Sequence, residues 1–409
     1  MKSIDGYMRW LLVLLFYVSL CSSMLVYIRD NAYLWICVFT AVLLIIGLVK
    51  SRGSTPFKAL LFNLLVITLS LGLTEAYYAG LFSSHQGITL KGTYSTRHKE
   101  YICADNIRGY TTRKNYSADA QCYKDGQLVY NVRYDTNALG LRVTPKDFFP
   151  EQYPLSQKHQ NIVFFGCSFT YGEGVQDNQT MPYLVEKLSK GKLRSYNLAC
   201  HGYGPHQMLR TLETGQLDEI ITDQKPAIAV YQGIMAHINR CTGNYPYITW
   251  GWNDPRYLLD SMGNVTYSGT FQDSRGGKLR NCYMLAMLNK SSLFHQLVTP
   301  KLLGWKVTQN DRLLYIKIIE RSKQLFEEKY GGQFYVLFWP QSNDDCTQLI
   351  KELKSRQIKV ITTPEIFFRY NEPSGDYFLA DSHPNPMAHE RIAEYFVNRF
   401  SPPVKTKKD

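Results

Sequence analysis

An α/β domain built on a parallel sheet, preceded by three transmembrane helices and a small β-rich segment, is the architecture this 409-residue sequence predicts. Three observations predict it. From about residue 159, strand-length apolar runs alternate with helix-length amphipathic stretches, the pattern of parallel strands covered on both faces. Before residue 82, three long stretches are almost free of charge. Between these regions, residues 84–158 are rich in Tyr, Thr, Arg and Gly and carry short alternating segments without a helical period, which reads as a small sheet.

The three apolar stretches cover residues 10–28, 33–49 and 59–73, each approaching the roughly 20 residues a helix needs to cross a bilayer. Lys2 and Arg9 precede the first, and Lys50, Arg52 and Lys58 separate the second from the third. The excess of positive charge on those loops puts them in the cytoplasm. The chain from about residue 80 is then expected outside the cell membrane, in a periplasmic or extracellular space, with residues 1–82 in contact with the lipid bilayer.

Cysteine usage is read against that topology. Cys21 and Cys37 fall within spans, leaving Cys103, Cys122, Cys167, Cys200, Cys241, Cys282 and Cys346 outside, where disulfides persist. Cys103 with Cys122, and Cys241 with Cys282, are the expected pairs, because all four lie outside the expected parallel sheet. Neither Cys167 nor Cys200 has zinc-site spacing, and no cofactor is expected. The net charge of +12 is dispersed except for a basic tail, 402–409, with Lys405, Lys407 and Lys408. Without a basic stripe or binding motif, nucleic acid is not an expected partner.

Within residues 84–158 the clearest strand is 128–134, LVYNVRY. In the α/β domain, 159–401, strands are expected at 162–165, 195–199, 227–232, 334–338 and 358–362. Helices are expected at 181–190, 207–222, 313–330, 346–356 and 386–400. From about 240 to 303 the alternation lapses into an insert with Trp250, Trp252, Pro255 and Tyr257. It follows the third strand, so it can overhang the carboxyl edge of the sheet, where open α/β sheets bind ligands.

The chemistry-bearing stretch is 161–175, NIVFFGCSFTYGEGV. An apolar strand stops at Gly166, and Ser168 stands two residues later before a Gly-rich turn. Gly166-Cys167-Ser168-Phe169 resembles the first block of the SGNH (GDSL-like) hydrolases, with Cys where Asp is usual. It is not a G-x-S-x-G elbow, since Thr170 replaces the second Gly. Residues 109–142 resemble the β-rich preface of membrane-anchored bacterial members. The resemblance implies a flavodoxin-like three-layer α/β/α domain and further blocks, and the sequence supplies candidates in order. Asn197-Leu-Ala-Cys-His-Gly202 follows the second strand and implies Gly202 as an oxyanion donor beside the Ser168 N–H. After the third strand the family's Gly-x-Asn-Asp is missing. In Gly233-Ile-Met-Ala236-His237-Ile-Asn239 the substitute side-chain donor is His237, with Asn239 as the second choice. Asp381-Ser-His383-Pro-Asn385 matches the last block, although many members space these two residues by three. Asp376 remains a stand-in carboxylate.

These roles are chemically coherent. A histidine near Ser168 accepts its proton, and a carboxylate on the far ring nitrogen fixes the tautomer. The expectation is an external, membrane-anchored serine acylhydrolase of SGNH type with Ser168, His383 and Asp381 as its catalytic residues. Its expected substrate is an acylated glycan or lipid, foremost an O-acetylated cell-envelope polysaccharide. Transfer to a sugar hydroxyl, giving an O-acyltransferase, and a non-catalytic glycan-binding or assembly protein on a decayed hydrolase are the alternatives. A metal site from Asp381, His383 and His389 is the rival reading of the last block.

Overall fold

The computed structural model describes residues 14–25, 32–50, 55–80, 87–93, 100–154, 158–223, 226–244, 247–274, 288, 290–294, 306–370 and 377–401. The chain divides into two compact units, Met1–Gln86 with Gly276–Trp305, and Gly87–Arg275 with Lys306–Asp409.

In the first unit, helices α2 (Ala32–Lys50) and α3 (Thr55–Tyr78) are long and apolar enough to cross a membrane. The first expected span appears as a shorter apolar helix, α1 (Leu14–Leu25), so length and composition mark two spans rather than three among the described residues. Most of their large apolar side chains are exposed within the protein, as they are when lipid rather than protein is their solvent. Glu75 of α3 is instead buried and accepts from the Ser291 hydroxyl at 2.7 Å and the Leu293 N–H at 3.1 Å. The expected insert is therefore divided: residues 276–305 belong with the apolar helices, and only its first part stays with the α/β domain.

The second unit opens with short antiparallel strands, β1 (Ile88–Lys91), β2 (Ile102–Asp105), β3 (Gly109–Thr112), β4 (Ser117–Lys124) and β5 (Gln127–Asp135), in sheets ordered β1-β4-β5 and β2-β3. Along β5 the buried residues are Tyr130, Val132 and Tyr134, with Asn131 and Arg133 facing out. That period of two gives the strand one packed face. The face joins Tyr101, Ala118, Ala120 and Cys122 in a cluster that also takes in Tyr171 and Ala199 from the α/β domain.

The β-rich residues therefore share a core with the turn that carries Ser168. Cys122 lies in that core while Cys103 sits on the other small sheet, its thiol facing the Thr111 carbonyl. The two are free thiols on strands of different sheets, so the expected pairing is not formed. Cys241 is also free and buried; Cys282 lies outside the described residues.

After a short helix, α4 (Pro145–Phe148), five parallel strands follow: β6 (Gln160–Phe165), β7 (Leu193–Asn197), β8 (Pro226–Gly233), then β11 (Gln333–Phe338) and β12 (Lys359–Thr362) after a hairpin, β9 (Pro255–Leu259) and β10 (Val265–Thr270). The order is β7-β6-β8-β11-β12. Counted within the domain this is 2-1-3-4-5, the flavodoxin-like order, whose switch point lies between the first and third strands.

Helices α5 (Ser168–Tyr171), α6 (Met181–Leu188), α7 (Pro205–Glu213), α8 (Gln216–Ile220), α9 (Ala236–Thr242), α10 (Gln309–Tyr330), α11 (Asp344–Ser355), α12 (Thr363–Phe367) and α13 (Pro386–Phe400) complete the unit. Alternate strand residues point to opposite faces. Val163, Phe165, Ala229, Tyr231, Val336 and Phe338 pack with α7, α9, α10 and α11, whereas Ile162, Phe164, Val230 and Leu337 pack with α6, α12 and α13. Each fully buried side chain of this kind contributes roughly 1.5–3 kcal/mol. The helix expected over 207–222 is broken at Gly215, whose φ of 75° an α-helix does not allow.

Candidate active site

Strand β6 ends at Gly166, at the switch point of the sheet. A side chain there would meet Thr170 Oγ1 at 2.6 Å and Gln232 Oε1 at 3.0 Å, and its φ is +159°, so only glycine lets the strand turn this tightly. Cys167 stays extended and Ser168 opens α5. Its carbonyl accepts from the N–H groups of Gly172 and Glu173, both at 2.9 Å. The serine is 8% exposed at the carboxyl edge of the sheet.

A second loop reaches the same edge from the far end of the chain. Phe378 bridges Pro384, the Leu379 N–H donates to the His383 carbonyl at 2.7 Å, and Ser382 turns the chain at φ 73°. Asn385 then caps α13 by accepting from the Ala388 N–H at 3.0 Å. The left-handed Ser382 lets side chains two residues apart meet. Asp381 Oδ1 accepts from the His383 N–H at 3.2 Å, and Oδ2 lies 2.9 Å from His383 Nδ1. The opposite ring nitrogen, Nε2, lies 3.0 Å from Ser168 Oγ.

These three side chains have the geometry of a nucleophile, base and orienter. Burial alone would lower the affinity of His383 for a proton. The Asp381 hydrogen bond and the charges of Glu173 and Asp381 outweigh it, so its pKa is raised above the ordinary histidine value, with Arg240 opposing. Asp376 lies outside the described residues. His389 is buried away from the pair, with Nδ1 accepting from the Met181 N–H at 3.1 Å, and its pKa is pushed down to about 3 by burial and by the nearby Arg142 and His383 charges. Among the described residues no three His, Cys, Asp or Glu groups are arranged to hold a metal ion.

A second carboxylate, which no motif marks in the sequence, stands beside the same ring. Glu173 Oε2 stands 3.5 Å from His383 Nε2 and 2.7 Å from His201 Nδ1, and the Tyr130 hydroxyl donates to Oε1 at 3.4 Å. It is the one acidic residue between Asn161 and Val175. Burial pushes the pKa of His201 below the ordinary histidine value, against the pull of Glu173.

Gly202 follows His201 with φ 77°, where a side chain would run into the Trp250 ring at 2.5 Å and the Tyr110 hydroxyl at 2.7 Å. The residues expected from the third block are engaged elsewhere. His237 is fully buried on α9 with Nδ1 2.6 Å from the Tyr231 hydroxyl, and the Asn239 carboxamide oxygen accepts from Asn244 at 3.2 Å. The cause is local, since α9 begins at Ala236 and carries both residues away from the end of β8. From this strand it is Gln232 that reaches the serine turn, with Oε1 accepting from the Cys167 N–H at 3.3 Å. Beside the triad, Phe169 packs edge-on to both His383 and Trp339, and Trp339 packs on Phe378. These rings make an apolar wall.

No family model matches the chain, and no curated protein matches it. Among solved structures, it is similar to a member of the lipolytic G-D-S-L family from Veillonella parvula, at 14% identity over 59% of this chain and 98% of that one, with a TM-score of 0.32. It is also similar to the psychrotrophic esterase EstA from Pseudoalteromonas sp., at 11% identity over 58% of this chain and 95% of that one, TM-score 0.31. A two-domain esterase active on acetylated mannans matches at 10% identity over 61% of this chain and 53% of that one, TM-score 0.33. At these TM-scores the likenesses do not bear on the chemistry of this chain.

Proposed function

We propose that the chain is a serine acylhydrolase of SGNH type, anchored by its apolar helices at the outer face of a membrane and acting on O-acyl esters, foremost acetyl groups of a cell-envelope polysaccharide. The observation that carries the reading is the continuous contact from Ser168 Oγ through His383 to Asp381. Ser168 attacks the ester carbonyl as His383 Nε2 takes its proton, and Asp381 holds the Nδ1–H throughout. The N–H groups of Ser168 and Gly202 are the proposed receivers of the oxyanion, where removal of one donor costs about a hundredfold or more. Nε2 then returns the proton to the leaving alcohol, and water repeats the sequence in reverse to free the acid.

The test uses the full chain in detergent micelles with an aryl acetate and a fluorophosphonate. Acetate release that vanishes in Ser168→Ala, with a phosphonyl adduct mapped to Ser168 by mass spectrometry, is the expected result. An adduct on another residue, or equal turnover by the variant, overturns the reading.

A further inference from the structure

The ring nitrogen that must handle the proton faces two acceptors, Ser168 Oγ at 3.0 Å and Glu173 Oε2 at 3.5 Å. Asp381 already occupies the other nitrogen. A neutral ring with its proton on Nδ1 offers Nε2 as acceptor to Ser168. Once Nε2 gains a proton it becomes a cationic donor, and an ionised carboxylate is a stronger acceptor than a hydroxyl.

Glu173 is fixed for that task. Its backbone N–H is tied to the Ser168 carbonyl, Oε2 meets His201 Nδ1 at 2.7 Å, and Oε1 takes the Tyr130 hydroxyl. The remaining side of the turn is set by the Gly174 N–H, which donates to Tyr134 Oη at 2.9 Å. Building on the proposed acyl transfer, we propose that Glu173, held by His201, is a second carboxylate acting on the reacting nitrogen of His383, taking the Nε2–H of the charged ring in competition with Ser168.

The step moves one proton's hydrogen bond between two oxygens and needs no further reactant. In acid, Glu173 captures the charged ring and the serine loses its base. Above that range the same carboxylate stabilises the imidazolium that forms as Ser168 attacks.

Other charged and titratable groups bear on the pair from each packed element. Arg240 of α9 opposes protonation of His383, and Arg142, which follows β5, opposes protonation of His201. The charge of His383 reaches His389 of α13, and that of Glu173 reaches Cys122 of β4, Tyr134 of β5 and Tyr171 of α5. Lys124 at the end of β4 donates to the Ala380 carbonyl at 2.8 Å beside Asp381. None of them places an anionic oxygen on Nε2, which leaves Glu173 as the group to change.

The test again uses the full chain in micelles, with histidines labelled at Cε1 and the His383 resonance identified by its loss in His383→Gln. Glu173→Gln is expected to lower the titration midpoint of His383, and Glu173→Asp, which keeps the charge, to retain most of the wild-type value. In parallel, the rate of fluorophosphonate labelling is followed against pH, each profile normalised to its own alkaline plateau. At about pH 5.5, one unit below the ordinary histidine midpoint, the normalised rate of Glu173→Gln is expected to exceed wild type by about threefold or more.

An unchanged midpoint and profile in a folded Glu173→Gln overturns the proposal, as does an Asp variant that behaves like the Gln variant. If Glu173→Gln does not fold, the wild-type midpoint decides, and a value at or below the ordinary 6.5 or so rejects the proposal. A wild-type protein whose Ser168 is never labelled defeats the acyl-transfer reading, while the resonance still decides the role of Glu173.

Discussion

Ser168 lies 215 residues before His383, and Asp381 two before it, yet the contact among the three was legible because a Gly-bounded serine turn and an Asp-x-His loop have local signatures. Contacts made only in three dimensions were not. Glu173 carries no motif of its own, and its role arises from where the Ser168 turn sets it against His201 and His383. His237 was misread for the complementary reason. A histidine after the third strand looks like a donor until its ring is found inside the core against Tyr231. At this scale the proposed mechanism predicts that Asp381→Asn lowers kcat on an aryl acetate by a factor on the order of a thousand or more, through loss of the reactive tautomer. A loss of less than about tenfold would remove Asp381 from the mechanism. The pH profile has a definite sign. The pKa of His383 is raised in the folded protein, and the ring is a base only when neutral, so kcat/KM is expected to fall as pH drops through a midpoint above the usual 6.5 or so. A pH–rate profile whose acid limb lies below that value contradicts it.

Two elements hold the site, and both explain where sequence reading stopped. The expected strands fall within the five observed ones to within a residue or two, because buried parallel strands are continuous apolar runs. The anchoring of the β-rich residues to the Ser168 turn had no such signal. It runs through Arg142, which is fully buried, pairs Nε with Asp177 at 2.7 Å, and donates to the carbonyls of Tyr171, Gly172 and Val175 around the turn after Ser168. Removing one member of a buried pair costs about 3–5 kcal/mol, so Arg142→Met is expected to lower Tm sharply and to abolish labelling of Ser168. An active variant with an unchanged Tm would show that the clamp is dispensable. The Asp381–His383 loop makes a finer prediction. Ser382 at φ 73° carries strain a glycine would not, so Ser382→Val is expected to destabilise by about 1–3 kcal/mol and Ser382→Gly by none, measured by thermal unfolding.

For the whole molecule, composition pointed to a bilayer and an external α/β domain, and two helices have the length and apolar character to span. The proposed anchoring predicts that the full chain stays in the membrane pellet through an alkaline carbonate wash; release into the supernatant would oppose it. Stability should also depend on acidity. His201, His206, His237 and His389 are buried with pKa values below that of free histidine, each first of all through loss of water. The unfolded chain therefore binds protons that the folded one refuses, and the stability these residues contribute is present above about pH 6.5 and lost as pH falls below it. His383 works in the opposite direction, because its raised pKa adds stability on the acid side that is lost as pH rises through its folded midpoint. With four histidines against one, Tm is expected to fall between pH 7 and pH 5 or so; a rise would mean that the buried rings are charged.

The guanidinium of Arg142 sits upstream of β6, whereas Ser168, Asp381 and His383 all lie downstream. A protease that nicked the chain between Val143 and Gln160 would leave every reacting group on one fragment and the keystone on the other. Silence after such a cut would report a lost brace and not a damaged reagent.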